Sequence, residues 1–299
     1  MGQISVIARM LTVAAFMVVA SACSVDLDAQ GYTGHDEKRF EVSGTAELDL
    51  TTFDGAVQVD VWDRPTVQVA IERRAMTKEE ADKIEVRTEQ SGNHITIEAR
   101  QPPHHDRVMH IGRYISRSVR LVATVPRETN LTARSGDGSI TVRGISGRLE
   151  LRSADGDING TDLKGQLAAH TSDGSIDLGR VEGDLDVDTA DGRITVAGKF
   201  GALRARTSDG SVTVTADAGT EMAADWDIST GDGSVELNLP DGFNADLDAH
   251  TGDGTVDVSN LTLAVSGTIA KDSLRGKIGG GGRSVRIRSG DGSIRLRRG

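Results

Sequence analysis

The chain has 299 residues, a formal net charge of −11, and only 3% aromatic residues. The acidic balance excludes broad binding to nucleic acid or to anionic membrane surfaces, which requires a basic footprint. The low aromatic content speaks against a large stacking platform for bases or sugars. The single cysteine, Cys23, cannot form a disulfide within the chain, so stability must come from a packed core and hydrogen bonds.

Residues 1–22 are predicted to be an export signal. An almost wholly apolar run from Met10 to Val19 precedes the small residues Ala-Ser-Ala and then Cys23. The run is too short to cross a bilayer, which takes about 20 residues. This ending resembles a bacterial lipobox, and an ordinary signal with a chance cysteine is the alternative. We therefore expect Cys23 to be lipid-modified and to anchor the chain in the cell envelope. In bacterial lipoproteins, Asp directly after the lipid-modified cysteine favours retention in the inner membrane. Because Ser24 stands at this position, we expect the outer membrane.

Residues 23–39 are polar and predict a tether, and residues 40–299 predict one all-β domain. Alternating pairs such as Leu48 and Leu50 predict strands with one buried face. These early strands are typical of the irregular terminal layer that covers the end of a repeat stack. Thr77 followed by Glu80 is a capping box, which predicts the one short helix, near residues 77–84.

Residues 101–118 predict a polar loop outside the strand pattern. His104, His105 and His110 fall here beside Asp106. Imidazole and carboxylate are ordinary metal ligands, but the spacing matches no zinc signature. A solvated loop is therefore the favoured interpretation, and a metal site is the alternative.

An internal repeat occupies the centre of the domain, from Ser135 to Val214. An Asp-Gly pair returns every 18 residues, and apolar residues recur in columns at the same step. The aspartates are Asp137, Asp155, Asp173, Asp191 and Asp209; one apolar column is Ile140, Ile158, Ile176, Ile194 and Val212, and another is Leu149, Leu167, Leu185 and Leu203. Like residues at a fixed step predict a parallel β-solenoid of ~18-residue coils, stacked about 4.8 Å apart. A meander of hairpins, which Asp-Gly turns also favour, is the alternative.

Stacked coils would place the five aspartates of the repeat in one column. Carboxylates in a row attract Ca²⁺, but the repeat lacks the nonapeptide of calcium rolls. The favoured interpretation is a turn in which Asp bonds the turn amides and Gly takes a positive φ. A column of Ser and Thr precedes each aspartate and has no recurring His or acid partner, so we expect structural hydroxyls rather than nucleophiles. No metal or other cofactor is expected.

The C-terminal unit carries four arginines that alternate with apolar residues. They are Arg286, Arg288, Arg295 and Arg297. On a terminal layer, outward charges of this kind block edge-to-edge stacking. The functional alternative is a patch for anionic envelope polymers, held through arginine–phosphate pairs.

The Val-Pro strand that leads into SGDGSITV, the recurring apolar pairs, and the closing GGGGRSVRIRSGDGSIRL resemble a known bacterial family. This is the β-strand-repeat, "putative adhesin" domain of unknown function. The resemblance covers Phe40 to Gly299. It implies a β-solenoid on secreted or envelope-anchored proteins, and it carries over no catalytic residues.

No cluster of acids and bases stands outside the repeat period, so an enzyme is not expected. The expected function is a non-catalytic, envelope-anchored scaffold or adhesion-type binding module. The alternative is a calcium-stabilised or protein-binding module of envelope-stress regulation. The expected partners are the membrane, through the lipid anchor, and a cell-surface polymer or an envelope protein; nucleic acid is not expected.

Overall fold

A computed structural model describes residues 31–101, 117–259, 261, 263–265 and 270–299. The predicted signal peptide, Cys23 and the histidines of the 101–118 loop lie outside the described residues. Within the described part of the chain, no helix is long and apolar enough to cross a membrane.

The described residues form 22 strands and one helix, and most strands bury every second side chain. In chain order the strands β1 to β6 and the helix α1 are β1 (Tyr32–Glu41), β2 (Ala46–Thr52), β3 (Val57–Trp62), β4 (Thr66–Ala75), α1 (Lys78–Asp82), β5 (Glu85–Ser91) and β6 (His94–Arg100). The central strands are β7 (Ser118–Pro126), β8 (Thr129–Ser135), β9 (Ile140–Arg143), β10 (Ser146–Ser153), β11 (Ile158–His170), β12 (Ile176–Thr189), β13 (Ile194–Thr207) and β14 (Val212–Ala216). The last strands are β15 (Trp226–Thr230), β16 (Val235–Leu239), β17 (Ala245–Thr251), β18 (Val256–Ser259), β19 (Leu263–Val265), β20 (Ser273–Ile278), β21 (Ser284–Ser289) and β22 (Ile294–Arg298).

The strands build two sheets whose buried faces share one core. Sheet 1 carries the leucine column, in the spatial order β5, β6, β2, β8, β10, β11, β12, β13, β15, β21, β17, β20, β19. Sheet 2 carries the isoleucine column, in the order β1, β4, β7, β3, β9, β11, β12, β13, β14, β16, β22, β18. The long strands β11, β12 and β13 pass from sheet 2 into sheet 1.

The register confirms the predicted parallel stacking of like residues. Ile158 pairs with Ile176, and Leu167 pairs with Leu185, each across parallel strands. The hairpin meander is therefore wrong. The 18-residue step holds only in the middle of the stack, because Leu203 pairs with Trp226 in the next layer.

The stacking order departs from the chain order at both ends. The C-terminal unit, β21 and β22, lies between the β15–β16 coil and the β17–β18 coil, so the prediction that it forms the terminal layer is wrong. The β2–β3 coil likewise lies inside the β6–β7 coil, so the predicted terminal layer is wrong for β2 and β3, whereas β4 from the same segment does lie outside β7. Antiparallel strands β1 and β4 and strand β5 take the outer positions, where their charged side chains suit a sheet edge.

The domain begins earlier than predicted, because β1 starts at Tyr32 within the segment assigned to the tether. This strand pairs with β4 along its whole length. Its mostly polar sequence hides the strand period, since it lies at the edge and buries little. The predicted helix is confirmed as α1, and Thr77 Oγ1 accepts a hydrogen bond from Glu80 N at 3.3 Å.

The Asp-Gly corners differ from the predicted turns in their backbone. Among these corner glycines only Gly55 has a positive φ, of 121°. The others are required because successive coils approach closely: a Cβ on Gly174 would lie 2.3 Å from the carbonyl oxygen of Gly156. A side chain cannot fit where the backbones of adjacent coils are in contact.

A hydroxyl, not the aspartate, satisfies the corner amide. Ser153 Oγ accepts from Gly156 N at 3.0 Å and lies 3.1 Å from the carbonyl oxygens of both Gly136 and Gly138. The hydroxyl column is buried and recurs along the stack as Thr52, Ser135, Ser153, Thr171, Thr189, Thr207, Thr230, Ser289 and Thr251. The hydroxyls thus tie each coil to its neighbour, and the aspartates are left at the surface.

Candidate functional site

The outer face of sheet 1 carries a groove that crosses eight strands, from β6 to β15. One part, of about 710 Å³, extends from β2 and β6 to β11. A second part, of about 480 Å³, extends from β10 to β15, and both parts share Arg148, Glu150 and Gln166. Seven strand spacings of about 4.8 Å give the groove a length of about 34 Å. We call this surface the long groove.

The floor of the second part is apolar because two of its outward positions hold alanine. Ala168 on β11 and Ala202 on β13 line it, together with the edges of Leu167, Leu185 and Leu203. Their neighbours in the same outward rows are charged and longer, so the small residues leave a depression between them. The groove therefore follows directly from residue size at repeat positions.

The walls of the long groove are predominantly acidic. Its carboxylates are Glu47, Asp49, Glu128, Glu150, Asp184, Asp186, Asp225 and Asp227, and its Lys and Arg residues are Arg148, Lys164 and Arg204. Eight acidic groups against three basic ones leave five negative charges in excess. A concave surface lined mainly by one sign of charge concentrates the field inside it.

Three of these carboxylates are paired with arginines: Asp186 lies 3.9 Å from Arg204 Nε, and Glu150 and Asp227 each contact two arginines. Glu150 lies 3.1 Å from Arg134 and 2.6 Å from Arg152. Asp227 lies 3.3 Å from Arg206, and its other oxygen lies 3.7 Å from Arg286. These groups are satisfied before any partner binds.

The rest of the acidic wall is less compensated. Within the described part of the chain, five carboxylates of the groove have no Lys or Arg partner: Glu47, Asp49, Glu128, Asp184 and Asp225. His94 lies between the first two, 3.4 Å from Glu47 and 3.5 Å from Asp49. Asp184 Oδ1 accepts from Ala202 N at 3.0 Å, and Asp225 Oδ1 accepts from Ser284 N at 3.0 Å. These bonds orient each carboxylate and leave its second oxygen available.

The predicted aspartate column exists, and stacking brings its members to one exposed corner. In spatial order the column is Asp54, Asp137, Asp155, Asp173, Asp191, Asp209, Asp232, Asp291 and Asp253. Among the described residues, no backbone amide or side chain donates a hydrogen bond to these carboxylates, and the corner amides donate to the Ser or Thr hydroxyls instead, so the predicted Asp–amide turn bonds are wrong. Burial and then the charge of Asp137 raise the pKa of Asp54, as expected for like charges in a row. Among the described residues, no group of three or more His, Cys, Asp or Glu could hold a metal ion.

The four C-terminal arginines do not form one patch. Arg286 and Arg288 face outward from sheet 1, and Arg295 and Arg297 face outward from sheet 2. Arg288 lies 2.9 Å from Asp248, and Arg297 lies 3.3 Å from Glu236. Because their coil is inserted between two acidic coils, most of this positive charge is compensated within the stack. A polymer-binding role for these arginines stays a prediction.

Sequence reasoning missed the long groove, although one signal for it was present. At the repeat step, the outward row of Glu150 continues through Ala168, Asp186 and Arg204. A single alanine in a row of long charged residues marks a depression. The contributions of Asp225 and His94 could not be found this way, since they depend on coils outside the regular step.

The architecture defines a parallel β-solenoid domain with a surface groove. The chain belongs to the Toastrack DUF4097 family, whose sequence profile matches residues 47–297. No curated protein matches the chain.

Several solved structures are similar to the chain at low identity. A "putative adhesin" from Bacteroides fragilis shares 10% identity with a TM-score of 0.43, over 88% of this chain and 97% of that one. A "putative lipid binding protein" from Parabacteroides distasonis shares 13% identity with a TM-score of 0.39, over 88% and 96%. A "putative cell adhesion protein" from Clostridium sporogenes shares 14% identity with a TM-score of 0.30, over 90% and 100%.

Proposed function

We propose that the chain is a non-catalytic binding module that is exported to the bacterial cell envelope and anchored in the outer membrane through Cys23. The observation that carries the proposal is the long groove, an acidic depression about 34 Å long across consecutive coils. Stacked repeats create extended surfaces of this kind, and such surfaces serve binding.

The chemistry of the described residues supports binding rather than catalysis. The corner hydroxyls are buried and engage backbone carbonyls, as Thr207 does with Ala190 and Gly192. They are therefore not free to act as nucleophiles. In the groove, Glu150 lies 3.1 Å from Arg134 and 2.6 Å from Arg152, so its carboxylate is already engaged by two arginines.

The envelope location is supported by the signal and lipobox-like ending before Cys23. The test is labelling of cells with a radioactive fatty acid. We expect the label on the full chain and its loss in Cys23→Ser, which should move from the membrane fraction to the soluble fraction. Sucrose-gradient separation then assigns the inner or the outer membrane. Label that persists in Cys23→Ser would overturn the anchor.

Binding through the groove is tested by filling it. Ala202→Trp places a large ring on the floor of the long groove, and Ala197→Trp places the same ring on the outer face of sheet 2. We expect Ala202→Trp to weaken co-sedimentation of the purified chain with envelope fragments at least five-fold, with little change for Ala197→Trp. Equal co-sedimentation of both variants and the original chain would contradict the proposal.

The alternative, a calcium-stabilised module, would use the exposed aspartate column, although no group of three or more His, Cys, Asp or Glu among the described residues could hold a metal ion. A ligand that binds only the folded state raises its stability. Thermal melting with and without calcium separates the two proposals. A melting temperature that rises with calcium, and no longer rises in Asp173→Asn, supports the calcium-stabilised module.

A further inference from the structure

We infer that the long groove binds an extended polypeptide segment with lysine or arginine side chains spaced four residues apart. This inference rests on the proposed function, because it names the partner of the same groove. It is carried by the arrangement of alanines and carboxylates on the floor and walls.

Each floor alanine lies between two carboxylates on neighbouring coils. Ala168 pairs in register with Glu150 on one side and with Asp186 on the other. We call this position the first notch. This notch offers a small apolar surface flanked by two carboxylates that are already paired, Glu150 with Arg134 and Arg152 and Asp186 with Arg204.

The second notch is centred on Ala202. Asp184 bonds to its backbone amide from one side, and Asp225, which directly precedes Trp226, lies on the coil at the other side. Neither carboxylate has a Lys or Arg partner among the described residues, so this notch is the less compensated of the two.

The notches fit a lysine or arginine side chain better than a compact cation. Such side chains lay an apolar stem on apolar surface and direct the charged head to polar groups. Here the stem would cover an alanine and the head would reach the flanking carboxylates. An amino sugar carries its amine directly on the ring and lacks the stem, so the notch favours a polypeptide.

The spacing of the notches sets the spacing of the cations. Ala168 and Ala202 are two strand spacings apart and offset by two residues along the strand, because Leu167 and Leu203 occupy the same column. This gives a separation of about 12 Å. Four residues of extended chain span about 13 Å, so side chains at positions i and i+4 reach both notches.

The backbone of such a segment would pass Arg148. This residue lies in the same outward row as Gln166 and Asp184, and its guanidinium has no carboxylate partner among the described residues. An arginine donates hydrogen bonds and accepts none, and the carbonyl oxygens of an extended backbone are suitable acceptors.

The aspartate column could also attract a basic peptide through its charge alone. The test must therefore distinguish attraction by charge from binding that depends on the concave shape of the groove. The column carries nine carboxylates, more than the excess of five in the groove, but lies on an exposed corner, where salt screens it. The groove is concave and has an apolar floor, which strengthens its interaction with a bound charge. The two surfaces therefore make a matched comparison.

The test uses two fluorescein-labelled peptides of equal composition, Ala-Lys-Ala-Ser-Ala-Lys-Ala and Ala-Ala-Lys-Lys-Ala-Ser-Ala. They are titrated by fluorescence anisotropy against the mature chain carrying Cys23→Ser. We expect the peptide with spaced lysines to bind at least three-fold more tightly than its isomer. Equal affinities, or no binding of either peptide, would overturn the inference.

Matched variants show where the peptide binds. Asp184→Asn with Asp225→Asn removes two groove charges and keeps the oxygens that accept from Ala202 N and Ser284 N. Asp173→Asn with Asp209→Asn removes two charges from the aspartate column. We expect at least a ten-fold loss of affinity for the first pair and less than a two-fold loss for the second, with unchanged melting curves. Equal losses would reduce the effect to net charge and overturn the inference.

The co-sedimentation and peptide experiments together distinguish failure of the proposed function from failure of this inference. If Ala202→Trp abolishes co-sedimentation with envelope fragments but neither peptide binds, the groove is the site and its partner is not a basic polypeptide. If the peptides bind as expected but Ala202→Trp leaves co-sedimentation unchanged, the groove binds basic polypeptides, and the proposal that it binds the cell envelope is wrong.

Discussion

Thr189 Oγ1 donates a hydrogen bond to the carbonyl oxygen of Gly174 in the preceding coil, at a distance of 3.0 Å. The same hydroxyl lies 3.0 Å from the carbonyl oxygen of Ser172 and accepts from Gly192 N at 3.3 Å. Corresponding bonds recur at other corners, so one buried hydroxyl per coil joins its own turn to the turn beside it.

Replacing this hydroxyl should destabilise the stack. Thr189→Val keeps the shape but removes the partner of the Gly192 amide and of the Gly174 carbonyl, while the Ser172 carbonyl still accepts from Ala190 N and Asp191 N. We expect a loss of about 2 kcal/mol in the free energy of unfolding. Urea denaturation measures it. Thr189→Ser, which keeps the hydroxyl, should lose less than half as much, and Thr195→Val on the outer face of sheet 2 serves as the control. A loss in Thr195→Val as large as that in Thr189→Val would contradict the role of the hydroxyl.

The corner glycines should tolerate no side chain. A Cβ on Gly192 would lie 1.9 Å from the carbonyl oxygen of Gly174, whereas one on Gly179 would meet only Thr161 Oγ1, at 3.7 Å. We expect Gly192→Ala to cost about 3 kcal/mol or more, because the two coils must separate. Gly179→Ala should stay within about 0.5 kcal/mol of the original chain. Similar unfolding midpoints for both variants would show that the coils are not in contact here.

The ion pair of Arg288 with Asp248 should make stability depend on pH. Burial alone would raise the pKa of Asp248, but the hydrogen bonds and charges of Arg288 and then Arg275 outweigh it and lower the pKa. A lowered carboxyl pKa stabilises the fold above the unfolded-state value, and this contribution is lost as pH falls through the folded-state value.

We therefore expect Arg288→Gln to lose about 1 kcal/mol at pH 7 and to converge with the original chain in acid. Denaturation across a pH series measures this. Arg295→Gln removes the same charge from a guanidinium without a carboxylate partner among the described residues, and it should show no such convergence. Parallel pH curves for Arg288→Gln and the original chain would refute the assignment.

The repeat made the middle of the fold predictable. Identical residues 18 positions apart, such as Ile158 and Ile176, predict that equivalent residues of successive coils lie side by side, and the structure pairs these two in register. The helix was also predictable from the capping box, because Thr77 accepts a hydrogen bond from Glu80 N within the first turn and needs no distant partner. Signals that depend only on local or periodic neighbours can be read from the chain.

The ends of the stack could not be predicted in this way. Every coil presents nearly the same backbone edge, so the coil with Asp291 fits between those with Asp232 and Asp253 as well as outside them. Only the lengths and endings of the connecting segments decide the order. The acidic partners of Arg286 and Arg288, and the wall formed by Asp225, follow from that order and were missed with it.

Disulfide trapping tests the order of the coils in the mature chain, which has no other cysteine once Cys23 is replaced by serine. Ser229 and His250 are each in register with Arg288, one on either side. We expect Ser229→Cys with Arg288→Cys to cross-link under mild oxidation, and Ser229→Cys with His250→Cys, two strand spacings apart, to remain reduced. A cross-link only in the second pair would restore sequential stacking.

The most direct measurement is photo-crosslinking in living cells, with p-benzoylphenylalanine at Ala168 on the floor of the long groove or at Thr213 on the outer face of sheet 2. Binding through the groove predicts a covalent product with a partner from position 168 and none from position 213. A product from position 213 alone, or equal products from both, would contradict it.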